Sequence, residues 1–519
     1  MSSEHIDAEF AKKAGDLEVQ MTPANTIVET SLNEKDNVEE LAKQEGIKLV
    51  EFEAGQGENP REWNSGKRWF ITLAASLLCL TVAIGSSIIT GDMRGPTRDL
   101  HAPQEVINLT VSCFVLGFGI GPLFFAPLSE VIGRKPIYCV SFFFFFIFTL
   151  PSALAKNAAT LVIGRLLAGF AASAPVANVG GTISDIWSVK ERGIPMAIFS
   201  GTIFLGPCLG PIIGSWIGEG AGWRWIYWVL FILNGVVFVL TLFVPETYAP
   251  VLLNKKAARL RKETGDDSYN TKSEMDRLPF STTLKIALTR PLIMMVMEPI
   301  VLFFSFYLSF VYSLLYLLFF AFPLAFAHFR GWSLGLTGTS FVSIMLGILL
   351  ALGALPYQEV IYRRVTKYGN FPEARLFPML VGCVLLPVSL FIFAFTGGNP
   401  AIHWVVVCIS GALFGISMIL IYVAANSYII DSYSTFPASA MAAKTLMRSL
   451  IGATIPLWVD QMYENIGFQW GGLLLALVSC VIAPIPYVFF AYGERVRLRS
   501  RMANKVKRVR ETDSDKVAH

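Results

Sequence analysis

Twelve apolar stretches, each long enough to cross a bilayer as a helix, leave this 519-residue chain few folds to choose from. They run over 69–90, 106–126, 137–155, 158–181, 195–217, 226–244, 292–315, 334–354, 375–396, 402–425, 438–459 and 471–491. In hydrocarbon every backbone N–H and C=O must be satisfied internally, so segments of this length form helices. Charged residues make up 15 % of the chain and hydrophobic residues 54 %, whereas a soluble protein carries about 25 % charge. The expected class is an all-α polytopic membrane protein. The third and fourth stretches are separated only by Lys156 and Asn157. The seventh lies in an apolar region from Pro291 to His328, with Pro299 and Pro323 as break points.

An even number of crossings puts both termini on one side, and Lys and Arg choose the side. Basic residues follow the even-numbered stretches: Arg134 and Lys135, Lys190 and Arg192, Lys255 to Lys262, Arg363 to Lys367, and Arg495 to Arg501. Both tails and the long polar loop are therefore expected in the cytosol. The polar, acid-rich start reads as a solvated, disordered tail over 1–68, with no signal peptide. The organisation that follows is a six-helix half over 69–248, a cytosolic loop over 249–290, a second six-helix half over 291–492 and a basic tail over 493–519. The seven cysteines all fall within apolar stretches and read as small packing residues rather than a disulfide framework.

One junction is written twice. PLSEVIGRK (127–135) returns as PYQEVIYRR (356–364), with Pro, Glu, Val, Ile and Arg at the same offsets. The copies follow the second and eighth stretches, the same place in each half. The two halves are thus pseudo-symmetric repeats. Parallel repeats of this kind characterise transporters with a site between the halves.

The motifs resemble the major facilitator superfamily and, within it, the fungal twelve-helix drug:proton antiporters. The resemblance runs from Asn59 to Arg497. GPLFFAPLSEVIGRKP (121–136) is similar to the loop motif after the second helix, with Ala126 and Glu130 departing from the general pattern. GRLLAGFAASAP (164–175) resembles the arginine motif of the fourth helix, and GPCLGPIIG (206–214) the antiporter motif of the fifth. GWRWIYWV (222–229), PETYAPVLLNKKAARLRK (245–262), MEPIVLFFSFYLSFVYSLLYLLF (297–319) and LMRSLIGATIPL (446–457) look like the fungal branch. The resemblance implies two six-helix bundles, alternating access and export coupled to protons. It does not name a cargo.

Several residues then become candidates. Gly206, Gly210, Gly214 and Gly218 recur every four residues on one helix face, with Pro207 and Pro211 as bend points. This stripe is either a hinge and seal between the halves or plain helix packing. Glu130, Arg134 and Lys135, and their second copy Glu359, Arg363 and Arg364, form a charged junction. Such a junction can latch one transport state through a carboxylate–guanidinium contact, or simply anchor the helix end. Asp185 is expected in the same charge cluster, and Asp460 at the other interface.

Arg165 and Arg448 lie deep in apolar stretches, where an ionisable group defaults to a functional hypothesis. Lys444, one turn before Arg448, is read as reaching the interface. Glu298, placed about two turns into the seventh helix, is the candidate proton carrier, or else a structural partner for an arginine. Phe303, Tyr307, Tyr312, Tyr422 and Asn426 are candidates for the substrate cavity, against the plainer reading that they face lipid or another helix. FFFFF (142–146) is expected to face lipid.

No G-x-x-x-x-G-K-[ST] loop is present to support ATP hydrolysis, and no H-E-x-x-H; the five histidines are scattered. No cofactor, metal or nucleic acid is expected. The expected partners are a small-molecule substrate, protons and the bilayer. The chain is read as a monomeric, non-enzymatic exporter in the plasma membrane, with the vacuolar membrane as the alternative. A uniporter or importing proton symporter is the rival carrier. A membrane-embedded enzyme or receptor is the rival class, disfavoured because no intramembrane His–acid pair is evident.

Overall fold

The computed structural model describes residues 47–53, 55, 57–188, 191–275, 279–365, 372–433, 436–500, 502 and 503, with backbone alone for 280 and 356–365. Its long helices are α1 (Ser65–Gly91), α2 (Gln104–Ile132), α3 (Arg134–Ala153), α4 (Ala158–Ile186), α5 (Gly193–Ala221) and α6 (Trp223–Phe243). The second half has α7 (Pro299–His328), α8 (Leu334–Leu355), α9 (Pro372–Gly397), α10 (Trp404–Ser432), α11 (Pro437–Ile466) and α12 (Phe468–Arg499). Eleven of these are apolar enough to cross a membrane on composition alone. The exception is α11, whose 30 residues include Lys444, Arg448, Asp460 and Glu464. At about 1.5 Å per residue it is still long enough to span.

The helices alternate in direction, so the bundle has two ends. The end carrying residues 47–64, the loops after the even-numbered helices and Ser500 is called here the terminal end. The other is the far end.

The seventh helix starts later than the sequence suggested. A separate helix, Phe280–Met297, precedes it, and Glu298 joins the two with φ −102° and ψ 107°. Pro299 explains the break. It offers no N–H to continue the preceding helix, and its fixed φ suits the first position of a new one. Glu298 therefore sits at the mouth of α7 rather than two turns inside it.

The solvated tail also ends earlier than expected. Lys48–Leu49 (β1) pairs in parallel with Tyr269–Asn270 (β2), and Lys48 Nζ lies 2.8 Å from Asp266. Lys256 holds Glu58 at 2.7 Å, and that contact lowers the Glu58 carboxyl below its ordinary pKa. Residues 47–64 are thus seated on the central loop, which itself forms the helix Ala249–Thr264. Residues 1–46 lie outside the described residues.

Close backbone approach holds each half together. In the first half, Gly117 of α2 faces the Leu166 carbonyl and Phe170 N–H of α4, and Gly169 of α4 faces Phe114. In the second half, Gly347 of α8 faces Ala412 of α10, and Gly415 faces the Ile344 carbonyl. The same helix pair is therefore closed by the same device in both repeats.

The α5 stripe works within its half as well. Gly206 rests on Ala83, Gly210 on Ser87 and Ile88, and Gly214 on the Ile88 carbonyl, all on α1. These three glycines lie within the first half, and Gly218 at the far end of the stripe meets both Asp92 and Leu334 of α8. The opposite flank of α5 seals the halves against each other, where Gly338 of α8 packs on Ser215 and the Pro211 carbonyl. FFFFF does not all face lipid either. Five consecutive helical residues sweep more than a full turn; Phe142 and Phe145 are buried, while Phe143 and Phe144 are exposed.

A Cβ at position 210 would collide with Ser87 and the Ile88 backbone. Gly210→Leu is expected to destabilise the first half by more than about 3 kcal/mol, beyond ordinary overpacking, because backbone rather than a flexible side chain must move. Loss of a monodisperse peak on size exclusion in detergent checks this. A normal profile and unfolding temperature would show that the stripe has slack.

Candidate functional site

The two halves meet along two symmetric helix pairs, α2 with α11 and α5 with α8. On the first, Asn108 Nδ2 donates to the Pro456 carbonyl at 3.0 Å and to Asp460 Oδ2 at 2.8 Å, and Gly119 packs on Ser449. On the second, the Trp216 indole donates to Thr339 at 3.1 Å, and Glu219 accepts from the Gly335 N–H. Asp460 is thus an inter-half residue rather than a plain interfacial one.

Between these pairs, at the far end, opens a vestibule of about 300 Å³. Asp92, Glu105, Asp460 and Glu464 rim it, and Phe319 and Phe320 of α7 line it. Burial raises the Asp92 carboxyl above its usual range, although the Gly95 N–H at 2.8 Å and Arg98 oppose this.

A smaller void of about 20 Å³ lies deeper, lined from both halves by Ser86, Phe118, Phe204, Tyr312, Met418 and Arg448, among others. Tyr316 closes it toward the vestibule, its hydroxyl 3.4 Å from Ser86 Oγ and 3.2 Å from the Tyr312 hydroxyl. Phe204 of α5 and Tyr422 of α10 close it toward the terminal end, edge to face with ring centroids 5.2 Å apart.

The sequence-predicted residues divide around this axis. Tyr312 and Arg448 line the inner void, with the guanidinium 4.3 Å above the Tyr312 ring. Tyr422 stands at its edge and donates to the Leu308 carbonyl at 2.7 Å. Asn426 accepts from Lys444 Nζ at 2.9 Å. Lys444 is 4 % exposed, so it is buried rather than extended to an interface. Two cavity candidates fall elsewhere. Phe303 is 47 % exposed and packs on Phe489 at the outer surface, and Tyr307 donates to Cys383 of α9 inside the second half. On α7 these residues lie on other faces than Tyr312, a phase that apolarity alone does not reveal.

Arg165 is buried, yet no carboxylate is among its partners. Its donors reach the carbonyls of Gly85 (2.8 Å), Ser86 (3.3 Å) and Thr110 (3.4 Å), and it stacks over Phe114. The helix α1 tightens to 3₁₀ geometry from Ile88, just past these carbonyls. Arg165 thus covers a break in α1 and ties α1, α2 and α4 together.

At the terminal end the charged junction is wired differently from expectation. Glu130 is exposed and does not pair with Arg134. Arg134 instead reaches Asp185 of α4 at 3.5 Å and Ser129 at 2.5 Å. Asp185 has thus joined the cluster, in the role first given to Glu130. Lys135 sends its ammonium to the Leu242 carbonyl at 3.0 Å.

The acid that sequence reasoning missed is Glu246, whose oxygens accept from the N–H groups of Arg134, Lys135, Thr247 and Tyr248 at 2.9–3.1 Å. It caps the start of α3 from the end of α6, where an anion is favoured. The second half repeats both joints. Arg375 pairs with Asp431 of α10 at 3.0 Å, and Glu373 in the first turn of α9 holds Arg497 of α12 by two bonds of 2.9 and 3.0 Å. One signal was available: Asp185 and Asp431 stand at the same interval as Gly169 and Gly415. The side chains of Glu359, Arg363 and Arg364 lie outside the described residues.

Glu298 gathers three donors: Ser500 Oγ at 2.6 Å, the Tyr433 hydroxyl at 2.9 Å and the Met502 N–H at 3.2 Å. It pins the segment after α12 across the terminal end of the second half.

The family model of the Major Facilitator Superfamily matches residues 70–456. The chain belongs to the Major Facilitator Superfamily. Among superfamily relatives, the MFS-type transporter paaT of Penicillium rubens is 42 % identical over 473 residues, covering 90 % of this chain and 86 % of the relative. The multidrug transporter mdrA of Aspergillus fumigatus is 42 % identical over 453 residues, 86 % and 74 % of the respective chains. The efflux pump FUB11 of Gibberella moniliformis is 38 % identical over 460 residues, 88 % and 77 %. These relatives place the chain in the fungal efflux branch. Among solved structures, the proton:xylose symporter XylE aligns with a TM-score of 0.59 over 82 % of this chain and 97 % of its own, at 16 % identity, a likeness of fold. The protein is therefore a multi-pass membrane transporter of the superfamily and not an enzyme.

Truncating Glu246 strands four backbone donors at one joint. Glu246→Ala is expected to cost about 1–3 kcal/mol and to raise amide hydrogen exchange at Arg134 and Lys135, with Glu246→Gln intermediate. Unchanged exchange at the start of α3 would show that the joint is held by other contacts.

Proposed function

We propose that this transporter exports a small metabolite or drug-like compound by alternating access, in exchange for protons. The observation that carries the reading is the asymmetry of the interface. The vestibule opens at the far end, while Phe204 and Tyr422 close the axis toward the terminal end. Symmetric helix pairs that separate at one end while meeting at the other are what rocking of two repeats requires. The names of the efflux relatives support export; the fold is shared with a symporter and does not choose a direction.

The terminal end is assigned to the cytosol, because basic residues cluster in its loops and in the tail after α12. The plasma membrane is the proposed location. With that orientation the structure is outward-facing. Asp92 and Asp460 on the vestibule rim are placed to meet external protons.

Glu298 is proposed as the acid that couples the proton to the terminal gate. As a carboxylate it accepts from Ser500, Tyr433 and the Met502 N–H, and such charge-assisted contacts are about twice as strong as neutral ones. Protonation weakens them and frees the segment that crosses the terminal end. The glycine stripe serves this cycle by holding α5 rigidly to α1, so that the opposite flank of α5 moves as a unit against α8.

Proteoliposomes in the inside-out orientation, acidified inside, test the reading. Uptake of compounds from a panel of organic acids and drug-like molecules, followed by mass spectrometry, is expected to depend on the gradient and to collapse with a protonophore. Glu298→Gln is expected to lower gradient-driven uptake at least about tenfold, or about 1.4 kcal/mol in activation free energy, while binding of the same compound in detergent persists. Uptake indifferent to the gradient contradicts proton antiport. Unchanged coupling in Glu298→Gln removes this residue from it.

A further inference from the structure

Among the described residues, no carboxylate is paired with Arg448 on the axis of the bundle. Arg448 is 5 % exposed and lines the inner void, and its Nε has no hydrogen-bond partner. Its neighbours on that side are the face of Tyr312 and the Tyr422 hydroxyl. Lys444 lies one turn away on the same face of α11, and the partner of its ammonium is the neutral amide oxygen of Asn426. Arg165, by contrast, is satisfied by three carbonyls.

The acids of the surrounding helices lie far along the axis or have their own partners. Asp460 is twelve residues beyond Arg448 on α11, about 18 Å away. Glu298 is fourteen residues before Tyr312 on α7, about 21 Å away, and is held by Ser500, Tyr433 and Met502. Asp185 is taken by Arg134 and Asp431 by Arg375. Glu219 at the far end of α5 accepts from Gly335 N–H, and Asp92 from Gly95 N–H. A desolvated guanidinium without a counter-ion is costly, since a buried charge stays in place by pairing or hydrogen bonding.

We infer that the site between the halves, closed here to a void of about 20 Å³, takes an organic monoanion, a carboxylate in the simplest case, with an apolar body that enters once Tyr316 or the Phe204–Tyr422 pair swings aside. Arg448 is the primary contact for the anionic head, with the Lys444 amine one turn behind it on α11. The rest of the inner lining is suited to the body: Phe118, Phe204, Leu315 and Met418 are apolar, and Tyr312 is aromatic. The planar guanidinium fork matches a carboxylate with two parallel bonds. The vestibule rim carries Arg94 as well as Asp92, Glu105, Asp460 and Glu464, so the cation that selects the head is placed deeper, at Arg448. This assignment deepens the carrier reading above and rests on it, naming the substrate class of the same site.

Isothermal titration of the purified full-length protein in detergent tests it with three isosteric probes: 2-naphthoate, 2-naphthamide and the (2-naphthyl)trimethylammonium cation. The carboxylate is expected to bind at least about tenfold tighter than the amide and the cation, the scale of one charge-assisted contact. Arg448→Gln is expected to remove that preference, Arg448→Lys to retain most of it, and Lys444→Gln to reduce it several-fold. A shared melting profile of Arg448→Lys and the parent shows that the site, not the fold, is being read. Equal binding of the amide, tighter binding of the cation, absence of carboxylate binding, or a preference that survives Arg448→Gln overturns the inference. Gradient-driven export of a neutral or cationic compound together with any of those results would leave the carrier reading standing and this assignment fallen.

Discussion

A guanidinium in the middle of a bilayer must find partners, and the contrast between two arginines organises this transporter. Arg165 spends its donors on carbonyls at the point where α1 changes from α to 3₁₀ geometry. Hydrocarbon offers no water for those carbonyls, so the arginine and the irregular turn satisfy each other. Arg448 has no such arrangement. Its Nε is unpartnered beside a void shared by both halves. The first arginine ties three helices of one half together, and the second is the group on which the proposed selectivity of the space between halves rests.

Rigidity within halves and freedom between them come from different contacts. Inside each repeat, glycines bring α2 onto α4 and α8 onto α10 at backbone distance, and the α5 stripe lies flat on α1. Ion pairs at the terminal end repeat as well, Arg134 with Asp185 and Arg375 with Asp431. The interface between halves adds polar and aromatic pairs, Asn108 with Asp460, Trp216 with Thr339 and Phe204 with Tyr422, to glycine contacts of its own, Gly119 on Ser449 and Gly338 on Ser215. The polar pairs break at low cost, because water can replace a polar partner at an opening cleft.

Much of this was legible in the chain before the structure. Segment length fixed the helices, and the duplicated PLSEVIGRK junction showed the halves. Four-residue glycine spacing found a close-packed face but not the neighbour on it, because a helix pattern reports phase and not partner; the partner along most of the stripe is α1 rather than the other half. Depth in an apolar stretch marked Arg165 and Arg448 correctly as buried, yet could not tell which one has carbonyls within reach. Glu298 was misplaced by two turns because apolarity runs through Pro299 and only the proline's backbone chemistry breaks the helix there. Glu130 lost its partner to Asp185 for a related reason: adjacency in a motif does not decide which helix supplies the carboxylate. Glu246 passed unnoticed, since its function is to accept backbone N–H groups, which leave no mark in sequence.

The central claim is that two rigid halves rock about the Arg448 site, so that one end closes as the other opens. Distances between spin labels on genetically encoded azide side chains, which leave the seven cysteines untouched, measure this directly. One pair replaces Ile194 and Met297 near the terminal end; the other replaces Leu154 and Trp470 at the far end, all four being exposed. On acidification or binding of a transported compound the account predicts that the two distances change in opposite directions, one lengthening as the other shortens. Both distances fixed, or both moving together, would contradict it.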